Sequence, residues 1–292
     1  MTGSLATSKK TPPLPQGATT AEEEEAEFQA DRVIPLAAAH GIHDTYQAFL
    51  PPLLPEFIET LALSNTQAGL LTVFLRAPSL VQPFIGYLAD RVSLRYFVIL
   101  APAVSAIMMS LLGVAPTYLT IVLLLLISGL SSACLHATGP VMVGRVSGRR
   151  LGHGMSYWMV GGEGGRVLGP LIITAALGTL GLAGMPWLMV GGLLTSLLLF
   201  ALLREVPARP PHAGEALPWR DALREMGPFL ALILGLVVTR GFIVEAMSTY
   251  LTIFLREQQA ERWLANSALA MYQAAGVGGA MISGSLSDRW GR

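Results

Sequence analysis

The chain has 292 residues, of which 52% are hydrophobic and only 13% are charged, and its mean hydropathy is +0.55. Soluble domains carry about 25% charged residues, so this composition excludes an ordinary water-soluble domain. Lys and Arg balance Asp and Glu at 19 each, and this balance indicates no nucleic-acid partner. The single Cys134 excludes an intrachain disulfide and a CxxC metal site. We expect neither a bound metal nor a cofactor.

The first 32 residues are polar, with several prolines and the acidic run Glu22–Glu25. A segment this poor in apolar residues cannot build a core, so it is predicted to be a disordered cytoplasmic tail. No short apolar region followed by a small-residue cleavage site precedes Val33. A cleaved signal peptide is therefore not expected.

Long apolar runs fill the rest of the chain, and a membrane-spanning helix needs about 20 mostly apolar residues. The sequence predicts eight spans, at about residues 33–54, 66–89, 96–114, 118–143, 155–178, 184–203, 229–253 and 264–286. The fold class is therefore an all-α, multi-pass membrane protein.

Basic residues are distributed unequally between the two sides of these spans. The tail, the alternate connections and the C-terminal end hold fourteen Lys and Arg, whereas the other side holds only Arg256 and Arg262. Positive charge marks the cytoplasmic side of a membrane protein. We therefore predict a cytoplasmic N-terminus, in a protein of the cytoplasmic membrane.

A duplication divides the chain into two sets of helices. The segment GYLADRVSLR, residues 86–95, recurs as GSLSDRWGR, residues 284–292, with Asp90 and Asp288 198 positions apart. The proline-containing stretch 204–228 is predicted to be a cytoplasmic linker. It separates a six-helix bundle, residues 33–203, from the first two helices of a second bundle, residues 229–292. Duplicated helix sets are typical of secondary transporters. Two bundles of six helices would make twelve, so we expect about eight of twelve helices in this sequence.

Both repeated segments resemble the signature loop G-x-L-x-D-R-x-G-R of the major facilitator superfamily. The resemblance implies a twelve-helix carrier in which each loop follows the second helix of a half. In physical terms, the glycine would allow close helix approach, and Asp and Arg would bond to neighbouring helix ends as a gate latch. The gating residues are predicted to be Gly86, Asp90, Arg91, Arg95, Gly284, Asp288, Arg289 and Arg292.

Three longer segments resemble the fosmidomycin-resistance branch of that superfamily. They are HGIHDTYQAFLPPLLP at 40–55, PSLVQPFIGYLADR at 78–91 and GMSYWMVGGEGGRVLGP at 154–170. The resemblance implies a proton-driven efflux carrier of the cytoplasmic membrane. Arg76 departs from the uncharged residue expected at its position.

The first span contains the most informative ionisable residues. Asp44 lies about 16 Å along the helix from Val33, close to the membrane midplane. His40 precedes it by four residues and shares its helix face, and His43 is adjacent in sequence. Burial disfavours the charged form of a carboxyl group, so Asp44 is predicted to exchange protons with His40 as a relay. The alternative is a structural Asp that is hydrogen-bonded to a neighbour.

Other charges lie deep in predicted spans, where ionisable residues are candidates for function. Glu163 and Arg166 can pair locally, either as a static pair or as one that changes partners. Arg240 and Glu245, five apart, lie on different faces and need partners elsewhere, as does Arg76. Arginine suits an anionic substrate group such as phosphonate. We interpret the isolated His136 as a hydrogen-bonded packing residue.

These observations predict a secondary transporter that exports small molecules, fosmidomycin-like or otherwise anionic, by proton-coupled alternating access. Its partners would be the lipid bilayer, protons and the substrate; the sequence indicates no oligomeric state. An importer or symporter on the same fold, or a membrane fragment without transport, remain alternatives. No GxxxxGK[ST], HExxH or GxSxG motif is present, so ATP-driven transport and enzymatic activity are not expected.

Overall fold

The structure is a computed structural model that describes residues 28–89, 95–203 and 219–290, and these residues contain helices and no strand. The helices are α1 (Ala30–Gln47), α2 (Leu50–Leu61), α3 (Asn65–Arg76), α4 (Gln82–Ala89), α5 (Arg95–Leu111), α6 (Tyr118–Val146), α7 (Leu151–Gly184), α8 (Met189–Leu203), α9 (Trp219–Glu257) and α10 (Arg262–Trp290). The predicted all-helical fold class is confirmed. Helix α9 begins inside the stretch 204–228 that the sequence predicts as a linker, and residues 204–218 lie outside the described residues.

The first two predicted spans are each built from two helical pieces. Pro51 and Pro52 have no N–H to donate to the carbonyls four residues earlier, and the helix is interrupted between α1 and α2 at Ala48 and Phe49. A 3-10 turn, Ala77–Val81, joins α3 to α4 around Pro78. The first interruption lies within one turn of Asp44, so it places irregular backbone beside the predicted proton site.

Five helical stretches are long and apolar enough to cross a membrane: Asn65–Leu88, Arg95–Val114, Tyr118–Val146, Gly148–Leu203 and Phe229–Glu257. The fourth contains two of the predicted spans, separated where Gly181 adopts a φ of 66°. The first and last predicted spans are also helical, but they do not meet the same criterion within the described residues. Six of the eight predicted spans therefore coincide with apolar spanning helices.

Two apolar clusters lie among helices α1–α8, and one of them also includes Ile253 of α9. One contains Phe49, Leu53 and Leu125, and the other contains Val33, Leu36 and Leu135. The buried polar side chains of α1 lie between the residues that α1 and α2 give to the two clusters. A polar layer therefore separates two apolar regions of one bundle.

Helices α1 and α7 pack so closely that their backbones touch. A Cβ at Gly165 would collide with the carbonyl oxygen of Gly41, and a Cβ at Gly161 would collide with that of Ala37. Small residues allow this kind of approach between membrane helices. The glycines of α7 thus allow close packing of α1, whose polar face points into the bundle.

Candidate functional site

The polar face of α1 is almost completely buried. The exposed fractions of His40, His43, Asp44 and Gln47 are 4%, 0%, 4% and 6%. His40, Asp44 and Gln47 follow one another at i, i+4 and i+7, which places them on one side of the helix. That side faces α5, α6 and Trp158 of α7, so every polar atom on it needs a partner from these helices or from the cavity.

Asp44 lies between two imidazole rings. Its Oδ2 is 3.5 Å from Nε2 of His40, as the shared helix face predicted, and its Oδ1 is 3.7 Å from Nε2 of His136 on α6. The two Nε2 atoms are themselves 3.3 Å apart. Asp44 Oδ1 is buried without a hydrogen-bond partner among the described residues.

The tautomers of these histidines follow from their other ring nitrogens. Nδ1 of His40 is 2.8 Å from the carbonyl oxygen of Trp158, and Nδ1 of His136 is 2.9 Å from that of Ser132. A carbonyl only accepts, so each Nδ1 must be the donor, and in the neutral ring Nε2 carries a lone pair. Two imidazole lone pairs and a carboxylate thus converge on one point, and these acceptors need a proton, another hydrogen-bond donor or a cation between them.

The rest of the polar layer is a hydrogen-bonded network. Nε2 of Gln47 donates to Oγ of Ser128 at 2.9 Å and to Oγ of Ser105 at 3.0 Å. Ser105 bonds on to Ser131, whose hydroxyl donates to the carbonyl of Ala101 at 3.1 Å. His43 Nδ1 is 3.4 Å from that same carbonyl, and its ring lies 6.0 Å from that of His136, centroid to centroid. These hydrogen bonds hold α1 against α5 and α6 and thereby support the cluster of His40, Asp44 and His136.

A cavity begins at this cluster and extends between the two sets of helices. It encloses about 80 Å³, and residues of α1, α2, α3, α6, α7, α9 and α10 line it. Its charged and amide-bearing lining includes Asp44, Arg76, His136, Arg166, Glu245 and Gln273.

The deep charges form pairs at the cavity wall. Nε of Arg76 on α3 is 3.0 Å from Oε1 of Glu245 on α9, so this ion pair joins the two sets of helices. Arg166 and Glu163 pair within α7, as their spacing predicted. Arg240 makes no ion pair within the described part of the chain and does not line the cavity. The structure therefore brings two of the three deep arginines, not all three, to this space.

His136 is a candidate site residue that the sequence did not single out. It is hydrogen-bonded, as expected, but its side chain is 35% exposed and lines the cavity beside Asp44. Its position inside a predicted span was a signal in the sequence, because ionisable residues in spans are candidates for function. Its proximity to Asp44 depends on the packing of α6 beside α1, which the sequence does not indicate.

The repeated motif is only partly described. Asp90, Arg91 and Arg292 lie outside the described residues, as do the side chains of Asp288 and Arg289 and the surroundings of Gly284 within α10. No described atom lies within 4 Å of a Cβ built at Gly86, so the expected close helix approach at this glycine is absent among those atoms. The guanidinium of Arg95 lies 5.1 Å above the ring of Tyr96. The gating role remains a prediction.

A helical bundle with a charged cavity between two sets of apolar helices is the architecture of a membrane carrier. The sequence matches the family model of the Major Facilitator Superfamily over residues 36–292. The chain belongs to this superfamily of membrane transporters and is not an enzyme.

Several relatives carry names that refer to drug resistance. The fosmidomycin resistance protein of Escherichia coli is 24% identical over 268 residues, which cover 88% of this chain and 65% of that protein. An uncharacterized MFS-type transporter of Bacillus subtilis, YfnC, is 30% identical over 158 residues, 53% of this chain and 38% of that protein. The multidrug resistance protein MdtG of Serratia proteamaculans is 27% identical, covering 72% of this chain and 53% of that protein. The chain thus spans less than two thirds of each.

Two solved structures share the fold. A bacterial homologue of the human lysosomal transporter Spinster, in an inward-facing and unoccupied conformation, has a TM-score of 0.74 at 19% identity, over 90% of this chain and 63% of that chain. The nucleoside transporter NupG has a TM-score of 0.68 at 14% identity, over 89% of this chain and 69% of that chain. Both support the carrier fold alone.

Proposed function

We propose that this protein exports small anionic molecules across the cytoplasmic membrane in exchange for protons. The observation that carries the proposal is the cavity between the two sets of helices, which has Asp44 at one wall and Arg76 and Arg166 at others. Names of relatives that refer to fosmidomycin and multidrug resistance support export. The orientation with a cytoplasmic N-terminus rests on the distribution of Lys and Arg.

In this mechanism Asp44 binds the proton and the histidines beside it relay it. Asp44 is 4% exposed, yet its carboxylate borders the cavity, so a proton can arrive without the carboxylate being solvated. His136 is the more exposed partner and connects Asp44 to the cavity, whereas His40 lies behind it. A proton bound here would neutralise the one negative charge of the cluster, that of the Asp44 carboxylate, and its loss would change the charge that the substrate meets.

The two guanidinium groups in the cavity would bind the anionic part of the substrate. Guanidinium matches phosphate and phosphonate geometry through paired N–H donors. Each arginine now pairs with a glutamate, Arg76 with Glu245 and Arg166 with Glu163. An anionic substrate would compete with these glutamates, and the repeated Gly-x-Leu-x-Asp-Arg segments would act as latches on the cytoplasmic side.

The test is drug accumulation in inverted membrane vesicles from an efflux-deficient host. Acidifying the vesicle interior should drive labelled fosmidomycin inward, and a protonophore should abolish this uptake. Asp44→Asn should remove the proton-driven part but retain exchange of labelled for unlabelled drug. Asp31→Asn, the same change at an exposed position in the first turn of α1, is the matched control.

Two results would overturn the proposal. Accumulation driven by the opposite proton gradient would indicate an importer or symporter. Full proton-driven uptake by Asp44→Asn would show that this carboxylate does not couple transport to protons, since the asparagine amide does not ionise as a carboxyl group does.

A further inference from the structure

We propose that His40, Asp44 and His136 form a binding site for a divalent transition-metal cation of the Zn²⁺ or Co²⁺ class. The sequence predicted no metal site, because the ligands come from two helices and His40 and His136 are 96 positions apart. One ligand atom from each of the three residues can be chosen so that all lie within 4.8 Å of one another. The site shares these residues with the proposed proton transfer, but metal binding can be measured without any transport of anions.

The separation of the two imidazole nitrogens matches a tetrahedral site. With metal–nitrogen bonds of about 2.0–2.1 Å, two ligand atoms of a tetrahedron lie about 3.3 Å apart. The two Nε2 atoms are 3.3 Å apart, while Oδ2 of Asp44 is 3.5 Å from Nε2 of His40 and Oδ1 of Asp44 is 3.7 Å from Nε2 of His136. A cation can contact all three residues once one oxygen of Asp44 turns toward both nitrogens.

Each histidine is already held in the orientation that a metal ligand requires. The carbonyl oxygens of Trp158 and Ser132 accept from the two Nδ1–H groups, which leaves both Nε2 lone pairs free. Such bonds to the outer ring nitrogen select the tautomer and fix the ring. The Trp158 ring also stacks on the His40 ring with centroids 3.8 Å apart, and Gly162 leaves room for that imidazole.

Charge, selectivity and access are also suitable. One carboxylate and two neutral imidazoles favour a divalent cation, and a nitrogen-rich set suits Zn²⁺, Co²⁺ or Ni²⁺ better than Mg²⁺ or Ca²⁺. Asp44 Oδ1 is buried and has no hydrogen-bond partner among the described residues, which is costly unless a cation or a proton meets it. Asp44 and His136 both border the cavity, so an ion has a route to the site. Three protein ligands leave a fourth position open, as in sites whose ion exchanges ligands.

The experiment is a Co²⁺ titration of the detergent-purified protein, prepared without a polyhistidine tag and stripped of metal. We expect one equivalent to bind with the visible absorption of tetrahedral Co²⁺. Zn²⁺ should bleach that absorption, and excess Mg²⁺ should not. His136→Ala and His40→Ala should each raise the dissociation constant at least about tenfold, since each removes one of three protein ligands.

His153→Ala is the matched control, because His153 is an exposed histidine outside the cluster. It should bind Co²⁺ like the unchanged protein, and thermal unfolding should establish that each variant is folded. No saturable binding by folded protein, displacement by Mg²⁺, or unchanged binding in folded His136→Ala would each overturn the inference. Because binding is measured without transport, failure here leaves the transport proposal untouched.

Discussion

Arg262, the first residue of α10, donates two hydrogen bonds to Glu56 of α2, at 2.8 Å from Nε to Oε1 and 3.0 Å from Nη2 to Oε2. Glu56 is only 8% exposed. The contact joins the two sets of helices at the end of the bundle where α2 ends and α3 begins. Asn65 adds a bond of 2.8 Å to Glu257 nearby. A carrier that opens at this end must break these contacts.

Arg262→Gln should favour the conformation that is open at this end. The change removes the charged partner of Glu56 in the conformation that is closed at this end. Loss of a hydrogen bond to a charged group destabilises that conformation by about 1–3 kcal/mol. About 1.4 kcal/mol corresponds to a tenfold change in population. A cysteine at cavity residue Ser248, introduced together with Cys134→Ser, should react about tenfold faster with a membrane-impermeant thiol reagent added from this side.

Arg256→Gln is the control for that experiment. Its guanidinium lies 3.5 Å from Glu59, whose side chain is 63% exposed, so the pair contributes less than about 1 kcal/mol. Labelling should stay close to that of the unchanged protein. Equal acceleration by both substitutions would contradict the special role of the Glu56 pair.

Gly165→Ala should destabilise the protein, whereas Gly164→Ala should not. The added methyl group at Gly165 meets the backbone of α1, which cannot yield without separating the helices, and overpacking costs about 1–3 kcal/mol. Gly164 has open space beside it, and alanine favours a helix by about 1 kcal/mol over glycine. The midpoint of thermal unfolding in detergent measures the effect of each of the two substitutions. A similar fall for the two variants would argue against direct helix contact.

Arg76→Gln should weaken transport of an anionic substrate at least tenfold, and Arg240→Gln should leave it nearly unchanged. Both arginines lie deep in predicted spans, but only Arg76 lines the cavity and pairs with Glu245. The measurement is the concentration dependence of vesicle uptake, with a neutral drug for comparison. If Arg76→Gln leaves transport of the anionic substrate unchanged, the Arg76 guanidinium does not bind it.

Gln47→Met should lower thermal stability by more than Gln273→Met. Gln47 donates to two serine hydroxyls inside the bundle, and methionine would leave Ser105 and Ser128 without this donor, at a cost of about 1–3 kcal/mol. Gln273 makes one bond of 3.2 Å to Ser248 at the cavity wall, where water can replace it. Equal unfolding midpoints would show that the buried network contributes little.

Spans and local pairs could be predicted from the sequence. Six predicted spans coincide with apolar spanning helices, because a helix satisfies its own backbone in lipid and its apolar run is continuous. The pairing of Glu163 with Arg166, and of His40 with Asp44, depends only on helical spacing. These features are local and need no knowledge of neighbouring helices.

Contacts between helices could not be predicted in this way. Arg76 meets Glu245 across 169 positions, while Arg240, equally deep in the sequence, has no ion-pair partner among the described residues. Which side of a nearly all-apolar helix faces a neighbour depends on packing, since α6 carries apolar residues all round.

The sequence by itself determined a helical membrane protein of a transporter family, with an ionisable cluster in its first span. Only the tertiary structure decided that His136 completes this cluster and that Arg240 stays outside the cavity. The physical reason is the close contact of α1 with α7 through glycines, which turns the polar face of α1 toward α6.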